Sequence, residues 1–542
     1  MAGLATAFGS GAMTNSINEI GDAACILAIG TNTTVGHPVI GLEVKRAVRN
    51  GAKLIVANPR RIDLCRFADL WLQHRAGTDV ALLMGIARVI VDEGLLDPDF
   101  VGERTSGFES FRESLEAFDL ESVERITGVP REKVVEAARM YALHKPASIL
   151  YAMGITQHTH GTDNVLATAN LAMLTGNLGK PSSGVNPLRG QSNVQGACDM
   201  GALPDVYTGY QKVNNQAVRQ KFEAAWDTGL PATPGLTLTE IFDAAHHGKI
   251  KAVYLVGENP VLTDADIGHV EEALQNLEFL VVQDIFLTET ARMADVVLPA
   301  TSFAEKEGTF TNTERRVQRV RQALDPVGDS LPDWWITCEI ARRMGARGFD
   351  FESPAQVMAE IASLTPSYAG ISHERLEKGG IPWPCPNPSH PGKPILHKEE
   401  FLTPDGKGHF SALQYRASAE LPDEQYPLLL TTERSLYHYH SGSMTRKVEG
   451  LNVLRREELV EVNPRDAEQL GFVDGDTVRV ISRRGEVTTR TKVTWDSPPG
   501  TVSMTFHFAE SPTNRLTNPA LDPTAKTPEL KVAAVRIEKV AG

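Results

Sequence analysis

Residues 25–61 read CILAIGTNTTVGHPVIGLEVKRAVRNGAKLIVANPRR, and the reading of this stretch decides the class of the fold. Cys25–Ile29 (CILAI) is a short continuous apolar run, the pattern of a strand buried on both faces. The turn Gly30-Thr31-Asn32 closes it. Pro38 then opens a helical stretch, VIGLEVKRAVRNG, and Gly51 ends it where a left-handed residue is wanted. Lys53–Ala57 (KLIVA) is the next strand, followed by Asn58-Pro59-Arg60. Strand, helix and strand joined by such short links make a right-handed βαβ unit with parallel strands. The alternation continues through ALLMGIARVIVDEGL and VEEALQNLEFLVV, so the class is α/β.

The pattern recurs near the middle of the chain. Ile250–Val256 (IKAVYLV) is a strand, Gly257-Glu258-Asn259-Pro260 a turn, Asp264–Asn276 a helix, and Phe279–Val282 a strand ending at Gln283-Asp284. In both copies a glycine turn and a polar strand end mark the carboxyl edge of a parallel sheet, where such folds bind nucleotides. Two copies imply two similar nucleotide-like ligands, or a duplication with a purely structural purpose. Neither copy carries G-x-G-x-x-G or G-x-x-x-x-G-K-[ST], which counts against an ordinary NAD or ATP site.

The chain has 542 residues, too many for one core, and its 42% apolar and 23% charged residues are those of an ordinary globular protein. A net charge of -14 argues against nucleic acid or an anionic membrane as the main partner. No two of the five cysteines, Cys25, Cys65, Cys198, Cys338 and Cys385, are spaced C-x-x-C, so they read as scattered reduced thiols, with no iron–sulfur or zinc signature. No run approaches the ~20 apolar residues of a membrane helix. The start lacks the basic region of a signal peptide, and the expected location is cytoplasmic.

GGIPWPCPNPSHPGKP, Gly379–Pro394, is the linker candidate. After Pro427 the texture changes to short strands, LLLTT, TVRVISRRGEVTTRTKV and TVSMTFHF, with turns at Asp474-Gly475 and Arg484-Gly485, as in a small barrel. The most distinctive segment is MLTGNLGKPSSGVNPLRGQSNVQGACDMGALPD, Met173–Asp205, dense in Gly, Asn and Gln. Such a backbone suits close approach to a large polar ligand; a solvent-exposed loop rich in turns is the alternative. His37, His158 and His160 have no partners at ligand spacing and read as packed or solvated histidines.

The string NPLRGQSNVQGACDMGALPD resembles the hallmark loop of formate dehydrogenase catalytic subunits in the molybdopterin oxidoreductase superfamily. Matching segments run in order through the chain: AGLATAFGSGAMTNSINEI, NGAKLIVANPRR, ESVERITGVP, MGITQHTHGTDN, LAMLTGNLGKP, VVQDIFLTETARMADVVLPATS, HYHSGSMTR and KTPELK. The resemblance implies two doubly wound nucleotide-binding-type domains and a six-stranded C-terminal barrel of the double-psi type. Their boundaries are expected at residues 1–160, 161–375, 376–426 (the Pro-rich linker) and 427–542. It implies a bis-(molybdopterin guanine dinucleotide) on molybdenum or tungsten, one guanosine tail in each strand-edge unit, and formate oxidised to CO2 or the reverse.

By resemblance, Arg189 is the substrate-side arginine, a planar fork for the formate carboxylate that stays charged at any working pH. Gln191 approaches the pterin, and Met153, Gly154 and Gln157 form a pterin-facing turn. The first nucleotide site uses Gly30, Asn32, Asn58, Pro59, Arg60 and Asp79; the second uses Gly257, Glu258, Asn259, Gln283, Asp284 and Asp333. Where this chain has Asn58 the family often has Asp, so that contact is weaker. From the barrel come Arg434, His438, His440, Ser443, Met444, Asn514 and Lys531.

In the family the metal ligand is a cysteine or selenocysteine followed by histidine, just before the segment that here reads AGLATAFGSGAMTNS. The resemblance therefore implies a chain lacking that ligand, its histidine and the N-terminal 4Fe-4S domain, inactive as given. A UGA codon for selenocysteine, read as a stop, or alternatively a cysteine codon, is expected a few codons upstream of Met1, followed by a histidine codon. The implied partners are formate or CO2 and electron-transfer iron–sulfur or NAD(P)-linked subunits. The alternatives are a non-catalytic cofactor-binding subunit, like the related large subunit of respiratory complex I, or another molybdopterin oxidoreductase such as nitrate reductase. A buried unpaired cation at Arg189 would favour the enzyme over the scaffold.

Overall fold

The computed structural model describes residues 1–540, which fall into two compact units. The first comprises Met1–Leu188, Leu262–Gly268 and the chain from Ile395 onward; the second comprises Arg189–Val261 and His269–Pro394.

In the first unit, Cys25–Ile29 and Lys53–Ala57 are parallel neighbours, with Ile29 opposite Ala57 and the helix Pro38–Arg49 between them in sequence. Pro38 occupies the first helical turn, where its missing N–H costs nothing, and Arg46 and Arg49 lie in the last turn, where the helix dipole favours cations. Leu70–Leu72, Ala147–Tyr151 and Gly184–Pro187 complete a five-stranded parallel sheet. Leu27, Ile29, Ile55 and Ile149 pack under one layer of helices, and Ile26, Ala28, Leu54 and Val56 pack against Ile40, Val44 and Ala47 on the other face. The two-residue period sorts the side chains and produces the doubly wound arrangement. From Cys25–Ile29 the strand order runs one way to Lys53–Ala57 and Leu70–Leu72, and the other way to Ala147–Tyr151 and Gly184–Pro187. The switch point thus lies between the strands that end at Ile29 and Tyr151, and ligands of such sheets bind in that crevice.

The barrel also belongs to the first unit. Its closed order is Leu428–Thr432, Thr501–Met504, Leu459–Val462, Glu486–Val493, Thr477–Ile481 and Ala533–Lys539. Val460, Val462, Val478, Val480, Val502 and Val535 fill its interior.

In the second unit, Ala252–Val256, Phe279–Asp284 and Val296–Pro299 form a three-stranded parallel sheet. The helix expected over 264–276 is shorter, Ile267–Gln275, because Asp266 just before it has a left-handed φ of 53°; a separate one-turn helix, Pro260–Thr263, precedes it. The hydrogen bonds of this sheet repeat those of the first. Gly30 N–H donates to Ala57 O (3.1 Å), and Gly257 N–H to Gln283 O (2.8 Å). The Asp69 carboxylate accepts from Leu54 N (2.9 Å), and Asp295 from Leu280 N (2.7 Å), each fifteen residues downstream of the amide. Arg60 N–H donates to Asn58 Oδ1 (3.0 Å), and Phe286 N–H to Asp284 Oδ1 (3.1 Å).

The domain boundaries differ from those expected. The chain leaves the first unit at Leu188, well past residue 160, because Gly161–Leu174 is a buried helix of that unit and Gly184–Pro187 is its sheet's edge strand. The Pro-rich stretch is built into the second unit: Ile381–Pro382 pairs with Arg316-Val317, and Trp383 and Cys385 are buried. Among the described residues no helix is long and apolar enough to cross a membrane.

Candidate functional site

At the switch point of the first unit the backbone makes a cradle. Gly30, with φ +56°, accepts at its carbonyl from Gly154 N–H at 2.9 Å. A Cβ on Gly154 would lie 2.4 Å from that carbonyl oxygen, and one on Gly30 would lie 2.7 Å from Ile155 N. Only glycine fits either place. Around the cradle, Asn32 Oδ1 accepts from Thr34 Oγ1 (2.9 Å), Asn58 O from Trp71 Nε1 (3.0 Å) and Pro59 O from Gln73 Nε2 (3.1 Å). Gln157 is buried, and Met153 is 41% exposed at the start of its turn.

Asp79 lies deeper, accepting from His74 Nε2 at 2.9 Å. Burial works against its carboxylate, but His74, His158 and His160 outweigh burial and hold its pKa below the usual range. His158 and His160 are buried, their rings stacked 5.2 Å apart, and His158 Nε2 contacts Gly154 O at 2.9 Å. They pack beneath the turn as side chains of the core.

Barrel residues converge on the same crevice. Lys531 N–H donates to Gln157 O (3.3 Å), and its Nζ donates to Thr432 O (2.6 Å). Burial, with Arg434 and Arg60 nearby, lowers the Lys531 pKa to about 7. Arg434 lies over the Phe506 ring at 3.9 Å, and burial lowers its pKa to about 10. Among the described residues no carboxylate pairs with either cation. Arg60, by contrast, is matched by Glu433 and Glu461. His440, with φ 49°, accepts at its carbonyl from His507 Nδ1; burial and Arg434 hold the His440 ring at about 4, so it is neutral near pH 7. His438 Nε2 contacts Arg455 O (2.7 Å), Ser443 Oγ contacts Ser441 Oγ (2.8 Å), and Met444 is exposed. Asn514 Nδ2 donates to Leu262 O (3.0 Å) and Thr263 O (2.9 Å), while its Oδ1 is buried without a partner.

The edge of the second unit is acidic. Gln283 Nε2 donates to Asp333 Oδ1 (2.7 Å), and Lys306 pairs with the other Asp333 oxygen. Burial and Asp284 raise the pKa of Glu258; burial, with Asp333 adding, raises that of Asp284. Asn259 is buried, its Oδ1 accepting from Thr290 N (3.2 Å) and Oγ1 (2.8 Å).

Arg189 opens the second unit half-buried, and Gln191 is exposed. Arg189 N–H donates to Thr313 Oγ1 (3.2 Å) and its Nε to Gln195 Oε1 (2.8 Å). The expected buried unpaired cation is therefore corrected: this guanidinium is partly open and hydrogen-bonded to a neutral amide. Gln195 and Asp199, at i and i+4 on Val194–Asp199, escaped the sequence reading, although that spacing puts them on one helix face. Glu433, Glu461 and His507 were missed because nothing in sequence ties the barrel to Arg60 or His440.

A family model for molybdopterin oxidoreductases matches residues 3–343, and one for the molybdopterin dinucleotide-binding domain matches residues 428–534. The chain belongs to the molybdopterin oxidoreductase family. It is 50% identical over 540 residues to the F420-dependent formate dehydrogenase subunit alpha of Methanocaldococcus jannaschii, covering 99% of this chain and 80% of that protein. It is 43% identical to formate dehydrogenase H of Escherichia coli, covering 100% of this chain and 76% of that one. Among solved structures, acetylene hydratase from Pelobacter acetylenicus shares the fold, with TM-score 0.81, 22% identity, and coverage of 99% of this chain and 80% of that one. The chain is thus a molybdopterin oxidoreductase of the formate dehydrogenase alpha-subunit type, and the family's cofactor is a molybdopterin. The first unit fits such a group: a glycine cradle without room for a Cβ, two half-buried cations without carboxylate partners among the described residues, and an orphaned amide oxygen at Asn514 suit a polar ligand carrying phosphates.

Proposed function

We propose that this chain forms the larger part of the catalytic subunit of a formate dehydrogenase, the enzyme that interconverts formate and CO2. The observation that carries the reading is Arg189, half-buried in the Gly/Asn/Gln loop with its Nε held by Gln195. Its two Nη groups form a planar fork suited to a carboxylate, and its charge does not depend on pH, so it holds the anion without taking the proton released. Formate oxidation yields CO2, one proton and two electrons. A bis-(molybdopterin guanine dinucleotide) on molybdenum or tungsten supplies the two-electron acceptor when bound.

The chain's own residues would hold that group. Arg434 and Lys531 neutralise phosphate charge, and their burial strengthens the attraction. Gly30 and Gly154 admit the ligand against the backbone, Met153, Gln157 and Gln191 face the pterins, and His438, His440, Ser443, Met444 and Asn514 line the barrel side. Asn58, with Asn32, Pro59, Arg60 and Asp79 around it, receives one guanine. Asp284, with Gly257, Glu258, Asn259, Gln283 and Asp333, receives the other, a carboxylate accepting from N1–H and the exocyclic amine. Electrons pass to an iron–sulfur or NAD(P)-linked partner subunit.

The test is formate-dependent dye reduction by the holoprotein. Arg189→Lys should lower kcat/KM by ~100-fold, because a point charge does not orient a carboxylate as a fork does. Full activity in that variant would overturn the assignment.

A further inference from the structure

Behind Arg189 lies a buried carboxylate that this function does not use. Asp199 has no exposed surface, and four donors surround it. Gln195 Nε2 (2.7 Å) and Tyr210 OH (2.7 Å) reach Oδ1; Tyr368 OH (2.5 Å) and Trp383 Nε1 (2.6 Å) reach Oδ2. Burial raises its pKa and the four hydrogen bonds oppose that rise. The donors come from stretches far apart in sequence, so the carboxylate is a built feature of the second unit. Nothing in the cofactor or substrate roles above accounts for it.

The consequence lies in the amide of Gln195. An amide has one donor end and one acceptor end, and Asp199 accepts the donor end. The acceptor end is thereby turned outward, onto Arg189 Nε at 2.8 Å. We infer that Asp199 is a positioning residue for Arg189, acting through Gln195 to fix the rotation of the guanidinium. The arrangement also keeps the carboxylate one side chain away, so the atom touching Nε is neutral. A carboxylate placed directly there would compete with an anionic substrate for the same charge. The catalytic consequence rests on Arg189 being the substrate arginine; the structural consequence does not.

Asp199→Asn shows how specific the device is. The Trp383 indole can only donate, so it claims the single remaining oxygen, and the new amide nitrogen faces Gln195. Gln195 Nε2 then keeps only its bond to Tyr210 OH (2.9 Å), and the Gln195 carbonyl is drawn both to the new amide nitrogen and to Arg189 Nε–H, so its hold on the guanidinium weakens.

The experiment follows hydrogen exchange of the Arg189 Nε–H in the arginine-15N-labelled full chain by NMR, the resonance being assigned by its loss in Arg189→Lys. Asp199→Asn and Gln195→Met should each speed exchange ~5- to 10-fold, the worth of one neutral hydrogen bond. The double variant should match Gln195→Met alone, since Asp199 acts only through Gln195, whereas a merely structural role gives additive losses. In the holoprotein Asp199→Asn should raise KM for formate by a similar factor. Unchanged exchange in Asp199→Asn, or additivity, overturns the inference. If exchange responds but Arg189→Lys leaves formate kinetics intact, the positioning stands and the substrate reading falls. Should Asp199→Asn fail to fold, Tyr210→Phe loosens the same oxygen, and unchanged exchange there overturns the inference.

Discussion

The two strand-edge regions share a backbone and differ in charge. Each has a left-handed glycine bonded to the neighbouring strand, a carboxylate capping a strand amide fifteen residues upstream, and a polar residue at the strand end accepting from the amide two residues on. Yet the first edge carries Arg434 and Lys531, cations that no carboxylate pairs among the described residues, and the second carries Glu258, Asp284 and Asp333. The frame of a parallel-sheet edge is set by hydrogen bonds that tolerate many side chains. The chemistry facing the ligand is free to diverge on it. The crowding differs as well: the first glycine is packed under Gly154-Ile155, while a Cβ on Gly257 would meet nothing within 4 Å.

That crowding gives the largest expected effect. Gly30→Ala should cost the protein ~3–5 kcal/mol, since the left-handed φ and the clash with Ile155 add; Gly257→Ala should cost only the backbone term, ~1–2 kcal/mol. Urea denaturation of both variants measures this, and equal penalties would break the comparison.

The next effect is a pair of opposite pH slopes. Lys531, held at about 7 when folded and ~10.4 when unfolded, makes the ligand-free protein gain stability as pH rises from 7 towards 10, because there the unfolded chain binds the extra proton. Asp284 has a raised folded pKa, so its contribution is present at low pH and is lost as pH rises through that value. Lys531→Met should therefore stabilise the ligand-free protein by ~1–3 kcal/mol near pH 7, an advantage that fades by pH 10. Asp284→Asn should stabilise it above the acid range and not at pH 4. Denaturation midpoints from pH 4 to 10 decide both signs.

The smallest effect concerns the guanine ends. Asn58→Asp should retain the first nucleotide ~5-fold more tightly, and Asp284→Asn should hold the second ~5- to 10-fold less tightly, because a charged acceptor makes roughly twice the hydrogen bond of a neutral one. Nucleotide release from each holoprotein on mild heating would show it.

Much of this was legible in the sequence. The strands Cys25–Ile29 and Lys53–Ala57 fall where the apolar runs lie, because strands buried on both faces leave an uninterrupted signal. The barrel strand Leu459–Val462 was not seen: LVEV alternates, and Glu461 at its centre hides its burial until Arg60 is brought to it. Asp266 looked like an ordinary residue within a helix, since its left-handed φ is a property of the fold. At the site, Gly30 bonds Gly154 and Lys531 bonds Gln157 of the same turn, contacts between residues that the resemblance singled out, whereas Asp199 was invisible because its four donors span residues 195–383. Long-range partners of one buried charge leave no local pattern to read.

The most direct test of the twin-site account is the stoichiometry of guanosine released on acid hydrolysis of the purified holoprotein. Two edges with one frame should each carry a dinucleotide tail, giving two GMP per polypeptide. One GMP, or none, would contradict the account and leave the second edge as a structural copy of the first.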